Sequence, residues 1–312
     1  LLMKKYVMTK TSTLFPVMRL HIHRLKQNRN KIPLNLWTGP LSIPWSRMLA
    51  LAVHENYGKV CAHDHGMGAG FRIDKLKRIK EFELASEYIT YTKGQINGYK
   101  NFEDKKYLSI YPMPNFNYFP TLNNSNTYKV LDHARKQNKS SKKVVKNILY
   151  FSCASEDEFF IAYQLQSLVQ LDWSSRLLAK LKKWGYEITW KPHPSDHYST
   201  SVKFFNNIGI KINKTDIIEN IYQDFDLIIC DSYMTTPFLT SICSNTPMVL
   251  IDFNNILTNQ AEEKLKKRCS IIKGKFDLNN RASIEWQSLR NSIKESLLLS
   301  NNEFAKNYVL ND

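Results

Sequence analysis

The second half of the chain alternates short apolar runs with longer segments of helical periodicity. The first run, residues 147–153, is almost wholly apolar and β-rich, as expected of a strand buried on both faces of a parallel sheet. A helical segment follows at about 156–184, and Gly185 is positioned to end it. Further strands are predicted at 187–191, 210–212, 226–230 and 247–251, with helices at 199–207, 216–223, from Pro237 onward and at 281–299. This alternation predicts an α/β domain built on a parallel sheet.

The first half shows a thinner version of the same pattern. Strands are predicted at 34–37, 59–62 and 88–91, with a helix at 45–56. This half is smaller than a complete Rossmann-type domain, so part of such a domain is either missing from the chain or replaced by irregular structure. Between the halves, residues 129–146 carry seven Lys and Arg against one acidic residue. A solvated linker or domain edge is predicted there, and a phosphate- or lipid-binding patch is the alternative.

Composition narrows the class of protein. Of 312 residues 43% are hydrophobic, which is normal for a globular chain, and no apolar run approaches the ~20 residues of a membrane-spanning helix. Five cysteines without a CxxC pair favour buried thiols in a reducing compartment, so a cytoplasmic location is predicted. The formal charge of +16 favours anionic partners. A peripheral contact with the anionic inner face of a membrane therefore stays open.

Three polar clusters follow predicted strands, where ligands of parallel sheets bind. The first, residues 62–70, places His63, Asp64 and His65 directly after a strand. An imidazole can take a proton from a hydroxyl, so a general base is predicted among these three residues. The alternative is a turn with a structurally hydrogen-bonded histidine. Glycines let the backbone approach a ligand closely, and those of this loop are Gly66, Gly68 and Gly70.

The second cluster, residues 191–197, places His193 between two prolines. Pro192 and Pro194 stiffen the backbone and fix the direction of the imidazole. His193 and the adjacent Lys191 could then stabilise negative charge on a phosphate. The alternative is a rigid turn whose histidine caps a neighbouring loop.

The third cluster, residues 231–237, reads Asp-Ser-Tyr-Met-Thr-Thr-Pro. Pro237 suits the first position of a helix, with Thr236 as its cap. Hydroxyl groups beside the unpaired backbone N–H groups at the start of a helix form a phosphate-binding site. The predicted hydroxyl ligands are Ser232, Thr235 and Thr236. A plain capping turn, with Asp231 only holding the loop, is the alternative.

Several other kinds of site are disfavoured by the sequence. No resident metal is predicted, because alternate residues of an extended His-Asp-His segment point to opposite sides and no third spaced ligand follows. A Mg²⁺ ion on a nucleotide phosphate stays open, although no DxD-like acidic pair is present. Neither GxSxG nor GxxxxGK[ST] occurs. Nucleic-acid binding is not predicted, because no RNA- or DNA-binding motif accompanies the positive charge.

Taken in order, the three clusters resemble motifs of GT-B-fold transferases that build bacterial surface polysaccharides. The grouping includes capsule β-Kdo transferases, sialyltransferases with an HP motif and CDP-glycerol-dependent teichoic acid polymerases. The resemblance covers about residues 34–253. It implies two Rossmann-like α/β domains with parallel sheets facing a cleft: residues 1–143 on the acceptor side and residues 144–312 binding the nucleotide donor.

The implied activity is transfer of a sugar from a CMP- or other nucleotide-sugar to a capsule- or lipopolysaccharide-type glycan, with no tightly bound cofactor. A CDP-glycerol-type polyol-phosphate transferase, or an inactive scaffold or glycan-binding domain, is the alternative. By resemblance, His65 is the base near the acceptor hydroxyl, and His193 with Pro194 is the HP pair on the donor phosphate. The Ser/Thr-rich loop would grip the same phosphate. His-Asp-His-Gly replaces the more usual Gln-His-Gly, which leaves Asp64 as an alternative base.

Overall fold

The fold is taken from a computed structural model, which describes residues 2–39, 41–64, 70–73, 81–100, 113–118, 144–153, 165–194 and 200–310. The chain divides into two compact units. The first unit comprises Leu1–His65 and Asp74–Phe119, and the second comprises Gly66–Ile73 and Pro120–Asp312.

The first unit contains a four-stranded, all-parallel sheet with strand order β1-β2-β3-β4. Its strands are β1 (Asn35–Thr38), β2 (Lys59–His63), β3 (Glu87–Thr90) and β4 (Asn115–Tyr118). Its helices are α1 (Leu2–Gln27), α2 (Pro44–Glu55) and α3 (Lys93–Lys100). Much of its core is aromatic, because the rings of Phe82, Tyr88, Tyr99 and Phe116 pack edge-to-face or stacked with centroids 4.7–6.2 Å apart.

A capping box starts α3. The Thr92 hydroxyl accepts from the backbone N–H of Gln95 at 3.2 Å, and the Gln95 side chain accepts in return from the N–H groups of Tyr91 and Thr92. These bonds satisfy amides that a helix start otherwise leaves without partners.

The second unit contains a six-stranded parallel sheet with strand order β10-β9-β8-β5-β6-β7. Its strands are β5 (Asn147–Phe151), β6 (Glu187–Lys191), β7 (Lys211–Ile212), β8 (Leu227–Cys230), β9 (Met248–Asp252) and β10 (Ser270–Lys273), and a small antiparallel pair is formed by β11 (Lys275–Phe276) and β12 (Ala282–Ser283). Its helices are α4 (Ser167–Lys183), α5 (Thr200–Asn207), α6 (Ile218–Ile221), α7 (Thr236–Ile242), α8 (Asn259–Lys266), α9 (Trp286–Ser296) and α10 (Glu303–Ala305). Short 3₁₀ segments occur at Arg29–Lys31 and Tyr222–Asp224, and Lys306–Leu310 is π-helical.

Read in chain order, the six strands lie as 3-2-1-4-5-6, the order of a doubly wound Rossmann sheet. From β5 the chain winds to one side of the sheet, and from β8 it winds to the other. The loops that follow β5 and β8 therefore diverge and leave a crevice at the carboxyl ends of these two strands. The fold itself thus marks this edge as a ligand-binding position.

A short segment from the N-terminal half of the sequence packs in the second unit. The Phe71 ring is fully buried, with its centroid 5.4 Å from that of Phe304 and 5.7 Å from that of Tyr308. Arg72 forms an antiparallel bridge with Leu257, and two backbone hydrogen bonds flank it. Gly70 precedes the bridge with a φ of 82°, a conformation that favours glycine.

The predicted α/β fold class is confirmed: the described residues form parallel sheets in two units, and the sheet of the second unit has the Rossmann strand order. The strand predicted at 187–191 is correct to the residue, and Gly185 with a φ of 90° ends α4 as predicted. The predicted domain boundary at 143/144 stays a prediction, because residues 119–143 lie outside the described ranges. Most of the basic segment 129–146 lies there as well.

Some expectations are corrected by the structure. The helix predicted at 281–299 is shorter, because Ala282–Ser283 pairs as a strand and α9 begins only at Trp286. This helix packs against β9 and β10 of its own sheet. Helices α1, α3 and α8 and strands β4 and β10 were not predicted. In the part of the chain that the structure describes, no helix combines the length and apolar character needed to cross a bilayer.

Candidate functional site

Three adjacent strands of the second unit end in register at one edge. Lys191 of β6 pairs with Phe151 of β5, which in turn pairs with Cys230 of β8. The segments that follow these residues are therefore neighbours along the sheet edge, at residues 192–194, 152–153 and 231–236. Two of the three predicted clusters, the His-Pro segment and the Asp-Ser loop, are brought together in this way at the edge where the crevice opens.

Asp231 is the buried anchor of this edge. Its side chain is 5% exposed, and its Oδ2 accepts hydrogen bonds from Tyr150 Oη at 2.6 Å, Gln170 Nε2 at 2.9 Å and Trp173 Nε1 at 3.0 Å. Burial raises the pKa of Asp231, while the hydrogen bonds that it accepts act in the opposite direction. Because its donors come from β5 and α4, this carboxylate ties three elements together beneath the loop. The alternative in which Asp231 holds the loop thus agrees with its contacts.

Ser232, the next residue, is equally buried. Its Oγ accepts from the Cys153 thiol at 2.8 Å and from the backbone N–H of Met234 at 3.1 Å. A serine hydroxyl has two acceptor lone pairs and one donor hydrogen. With both lone pairs used, the hydrogen remains to be donated to a third group, which suits an anionic ligand.

The two threonines of the loop differ in role. Thr235 caps α7, and its hydroxyl accepts from the N–H of Phe238 at 3.3 Å. The expectation that Thr236 is the cap is therefore wrong, because Thr236 has already entered the helix, where its side chain is exposed. Pro237 is therefore the second helical residue and not, as expected, the first, although it still lies in the first turn.

On β6, Lys191 is half-buried at the end of the strand. Burial lowers the pKa of Lys191, and the charges of Asp216 and Glu219 partly oppose this shift. His193 is partly buried between a buried Pro192 and an exposed Pro194. A partly buried imidazole two residues from a partly desolvated ammonium group is suited to stabilise negative charge more strongly than in water.

The first predicted cluster lies in the first unit, at the end of β2. His63 Nδ1 lies 2.9 Å from the carbonyl oxygen of Asp64 and must donate to it, so the neutral ring carries its lone pair on Nε2. The His63 ring lies 5.8 Å from that of Trp37. Asp64 is only 1% exposed. His65, Gly66 and Gly68 are outside the described residues.

Several residues of the edge were missed by sequence reasoning. The sequence places Cys153 within a predicted apolar run as a buried thiol, whereas the strand ends at Phe151 and leaves Cys153 two residues beyond it. The partners of Asp231 on β5 and α4, and Arg72 near Met234, carried no such signal, because they join the site only through tertiary packing. Across the part of the chain that the structure covers, no group of three or more His, Cys, Asp or Glu side chains could hold a metal ion.

No protein-family profile matches the chain, and no curated protein does. Solved structures do. The S. aureus MnaA–UDP co-structure matches at a TM-score of 0.52 and 11% identity, over 93% of this chain and 75% of that one. O. sativa Os79 in complex with UDP and deoxynivalenol-3-glucoside matches at 0.47 and 10%, over 94% and 76%. Sucrose-phosphate synthase from Thermosynechococcus elongatus matches at 0.46 and 11%, over 95% and 73%. Of these three, MnaA alone exceeds a TM-score of 0.5, and at 11% identity what it shares with this chain is the fold.

Proposed function

We propose that this chain is a glycosyltransferase that moves a sugar from a nucleotide-activated donor to a bacterial surface glycan of the capsule or lipopolysaccharide type. One observation carries the proposal: two polar clusters follow β6 and β8, the strands on either side of β5, at the carboxyl edge of a 3-2-1-4-5-6 parallel sheet whose switch point lies between β5 and β8. In open α/β sheets this is where nucleotides bind. The domain proposed to bind the donor is residues 144–312, and the acceptor-side domain is residues 1–143.

In this proposal the donor phosphate lies against the Ser232 loop and the His-Pro segment. Ser232 donates its remaining hydroxyl hydrogen, Thr235 and Thr236 line the start of α7, and His193 donates from a position that Pro194 helps to fix. Lys191 adds positive charge. As the bond from sugar to phosphate breaks, negative charge grows on the departing nucleotide, and donors that are already oriented stabilise this charge without reorganisation.

At the acceptor side, a base from the segment His63, Asp64 and His65 takes the proton of the acceptor hydroxyl as that oxygen attacks the sugar. Of the two described candidates, His63 is the better suited, because its Nδ1–H is engaged by a carbonyl and its Nε2 lone pair can accept a proton. Asp64 is nearly inaccessible. His65 remains the base that the family resemblance implies.

The nucleotide-sugar is a co-substrate in this scheme, and no resident cofactor is required. A Mg²⁺ ion bound through the nucleotide phosphates is compatible with it. The formal charge of +16 supports an anionic or lipid-linked acceptor, and with it a peripheral position at the inner membrane face. The cytoplasm is the proposed location.

Nucleotide screening tests the donor part of the proposal. Thermal shifts with CMP, CDP, UDP and GDP should show stabilisation by one nucleotide, since a ligand that binds only the folded state stabilises it. UDP is the first to test, because it is bound in the MnaA co-structure. Stabilisation by CDP together with turnover of CDP-glycerol would favour the polyol-phosphate transferase. If no nucleotide stabilises the protein, the remaining hypothesis is an inactive scaffold or glycan-binding domain.

Substitution of His193 tests the catalytic part. His193→Ala should abolish sugar transfer while the melting temperature stays near that of the wild type. His23→Ala is a matched control, because this imidazole lies on an exposed face of α1 and contacts only its helix neighbour Gln27 at 3.0 Å among the hydrogen bonds described. Transfer at the wild-type rate by His193→Ala would refute the assignment.

A further inference from the structure

Arg72 is held firmly at the edge of the second unit by its own backbone. The N–H of Ile73 donates to Ile256 O at 2.6 Å, and the N–H of Thr258 donates to Phe71 O at 2.9 Å. The preceding Phe71 ring is sealed in the core. The position of Arg72 is therefore fixed on both sides, and its side chain is directed by this strand-like pairing.

Among the residues that the structure describes, the Arg72 guanidinium group has no anionic partner. Its Nη1 contacts the thioether sulfur of Met234, and its Cζ lies 5.7 Å from the centre of the Phe71 ring. Its Nε is buried without a hydrogen-bond partner, and it makes no ion pair with any residue in the described ranges. Asp252, whose charge raises the pKa of Tyr233 while the charge of Arg72 lowers it, is already paired with Lys273 Nζ at 2.9 Å. A guanidinium cation in this setting has capacity for an anion.

Met234 connects Arg72 to the Ser232 loop. The side chain of Met234 contacts the guanidinium, while its backbone N–H donates to Ser232 Oγ at 3.1 Å. Met234 thus links Arg72 to the Ser232 hydroxyl, whose hydrogen remains to be donated. A cation and a hydroxyl donor that contact the same loop are suited to bind phosphate oxygens. Arginine binds such oxygens through two parallel N–H groups.

We propose that Arg72, supplied by the N-terminal half of the sequence, is a binding residue for the donor phosphates beside Ser232. The inference rests on the proposed function, because it assigns a further ligand to the same site. It also explains why a segment of the first half is built into the second unit: the cation that the loop itself lacks is brought there.

Calorimetric titration of the full chain with UDP, uridine and pyrophosphate tests the assignment. Arg72→Ala should weaken UDP and pyrophosphate binding by about 10- to 100-fold, the usual effect of losing hydrogen bonds to a charged group, and leave uridine affinity unchanged. Arg72→Lys should recover part of the loss, because it restores the charge without the paired N–H groups. Arg290→Ala is the matched control, since this exposed arginine lies 4.5 Å over the Trp184 ring and should not change binding of any of the three.

The outcomes separate this inference from the proposed function. If the wild type binds UDP and Arg72→Ala binds it equally well, Arg72 is not a phosphate ligand, although the donor site stands. If the wild type binds pyrophosphate but no nucleotide, and Arg72→Ala loses pyrophosphate, the anion site stands and the nucleotide donor is wrong. If the wild type binds neither pyrophosphate nor any of CMP, CDP, UDP and GDP, both are overturned. Should Arg72→Ala melt much earlier than the wild type, Arg72→Gln, which keeps the chain length without the charge, replaces it.

Discussion

Replacing Asp231 with alanine removes the acceptor that three buried donors share. Trp173 Nε1 loses its described acceptor, which costs about 1–3 kcal/mol for a buried donor left without one. Tyr150 and Gln170 each keep Ser174 Oγ as a second partner, at 2.8 and 2.9 Å, so each loses only part of its bonding, about 0.5–1.5 kcal/mol. The variant no longer buries a carboxylate, and this offsets part of the loss in stability. The expected net destabilisation is about 2–4 kcal/mol.

Thermal unfolding followed by far-ultraviolet circular dichroism measures this loss. For a unit of this size about 2–4 °C corresponds to 1 kcal/mol, so Asp231→Ala should lower the Tm by about 5–15 °C. Asp231→Asn, which keeps one side-chain oxygen as acceptor, should retain much of the stability. Ser174→Ala, which removes a neighbour and leaves the carboxylate, should cost about 1 kcal/mol. A Tm of Asp231→Ala within 2 °C of the wild type would refute the anchoring role.

The raised pKa of Asp231 predicts the direction in which stability changes with pH. Because burial raises this pKa above the value of the unfolded chain, the folded state binds the proton more tightly. The stabilising contribution is complete below the unfolded pKa, about 3.9, and is lost as pH rises through the folded pKa. Asn at this position does not titrate. The stability of the wild type relative to Asp231→Asn should therefore fall as pH increases from about 4, and a difference independent of pH would contradict the direction of the shift.

Three further substitutions probe the scaffold, each by denaturation against the wild type. Gly58→Ala should cost about 1–3 kcal/mol, because the new Cβ would lie 2.5 Å from the backbone oxygen of Leu34; unchanged stability would mean that this backbone yields easily. Arg268→Met should cost about 2–4 kcal/mol, since the buried guanidinium donates to three backbone carbonyls at and just beyond the end of α7; a loss below 0.5 kcal/mol would contradict this role of Arg268. Hydrogen bonding by Arg281 lowers the pKa of Asp172, so the stability from this pair is present above pH ~4 and lost as pH falls through the folded pKa. Asp172→Asn should flatten the acid side of the Tm profile, and an unchanged profile would exclude the pair.

Local sequence patterns were sufficient to predict an element where its bounds are set by neighbouring residues in the chain. The strand at 187–191 was predicted to the residue because its alternating polar and apolar residues are bounded by the turn at Gly185 and by Pro192. Strand β4, by contrast, reads Asn-Phe-Asn-Tyr and forms only because it pairs with β3. Helix α1 contains Pro16 and has little apolar periodicity, so its sequence is not typical of a helix. The cap of α7 was misplaced by one residue, because either threonine satisfies the same local rule.

The sequence by itself determined most of the segments that become strands and helices in the second unit, that their sheet is parallel, and that polar residues follow the strand ends. These properties depend on neighbouring residues along the chain, through hydrophobic periodicity and turn chemistry. Only the tertiary structure decided that β5 lies beside β8, which brings Cys153 to Ser232 across 79 positions and Arg72 to Met234 across 162. Strand order results from how helices pack on the two faces of the sheet, a balance of burial over the whole unit that no local pattern contains.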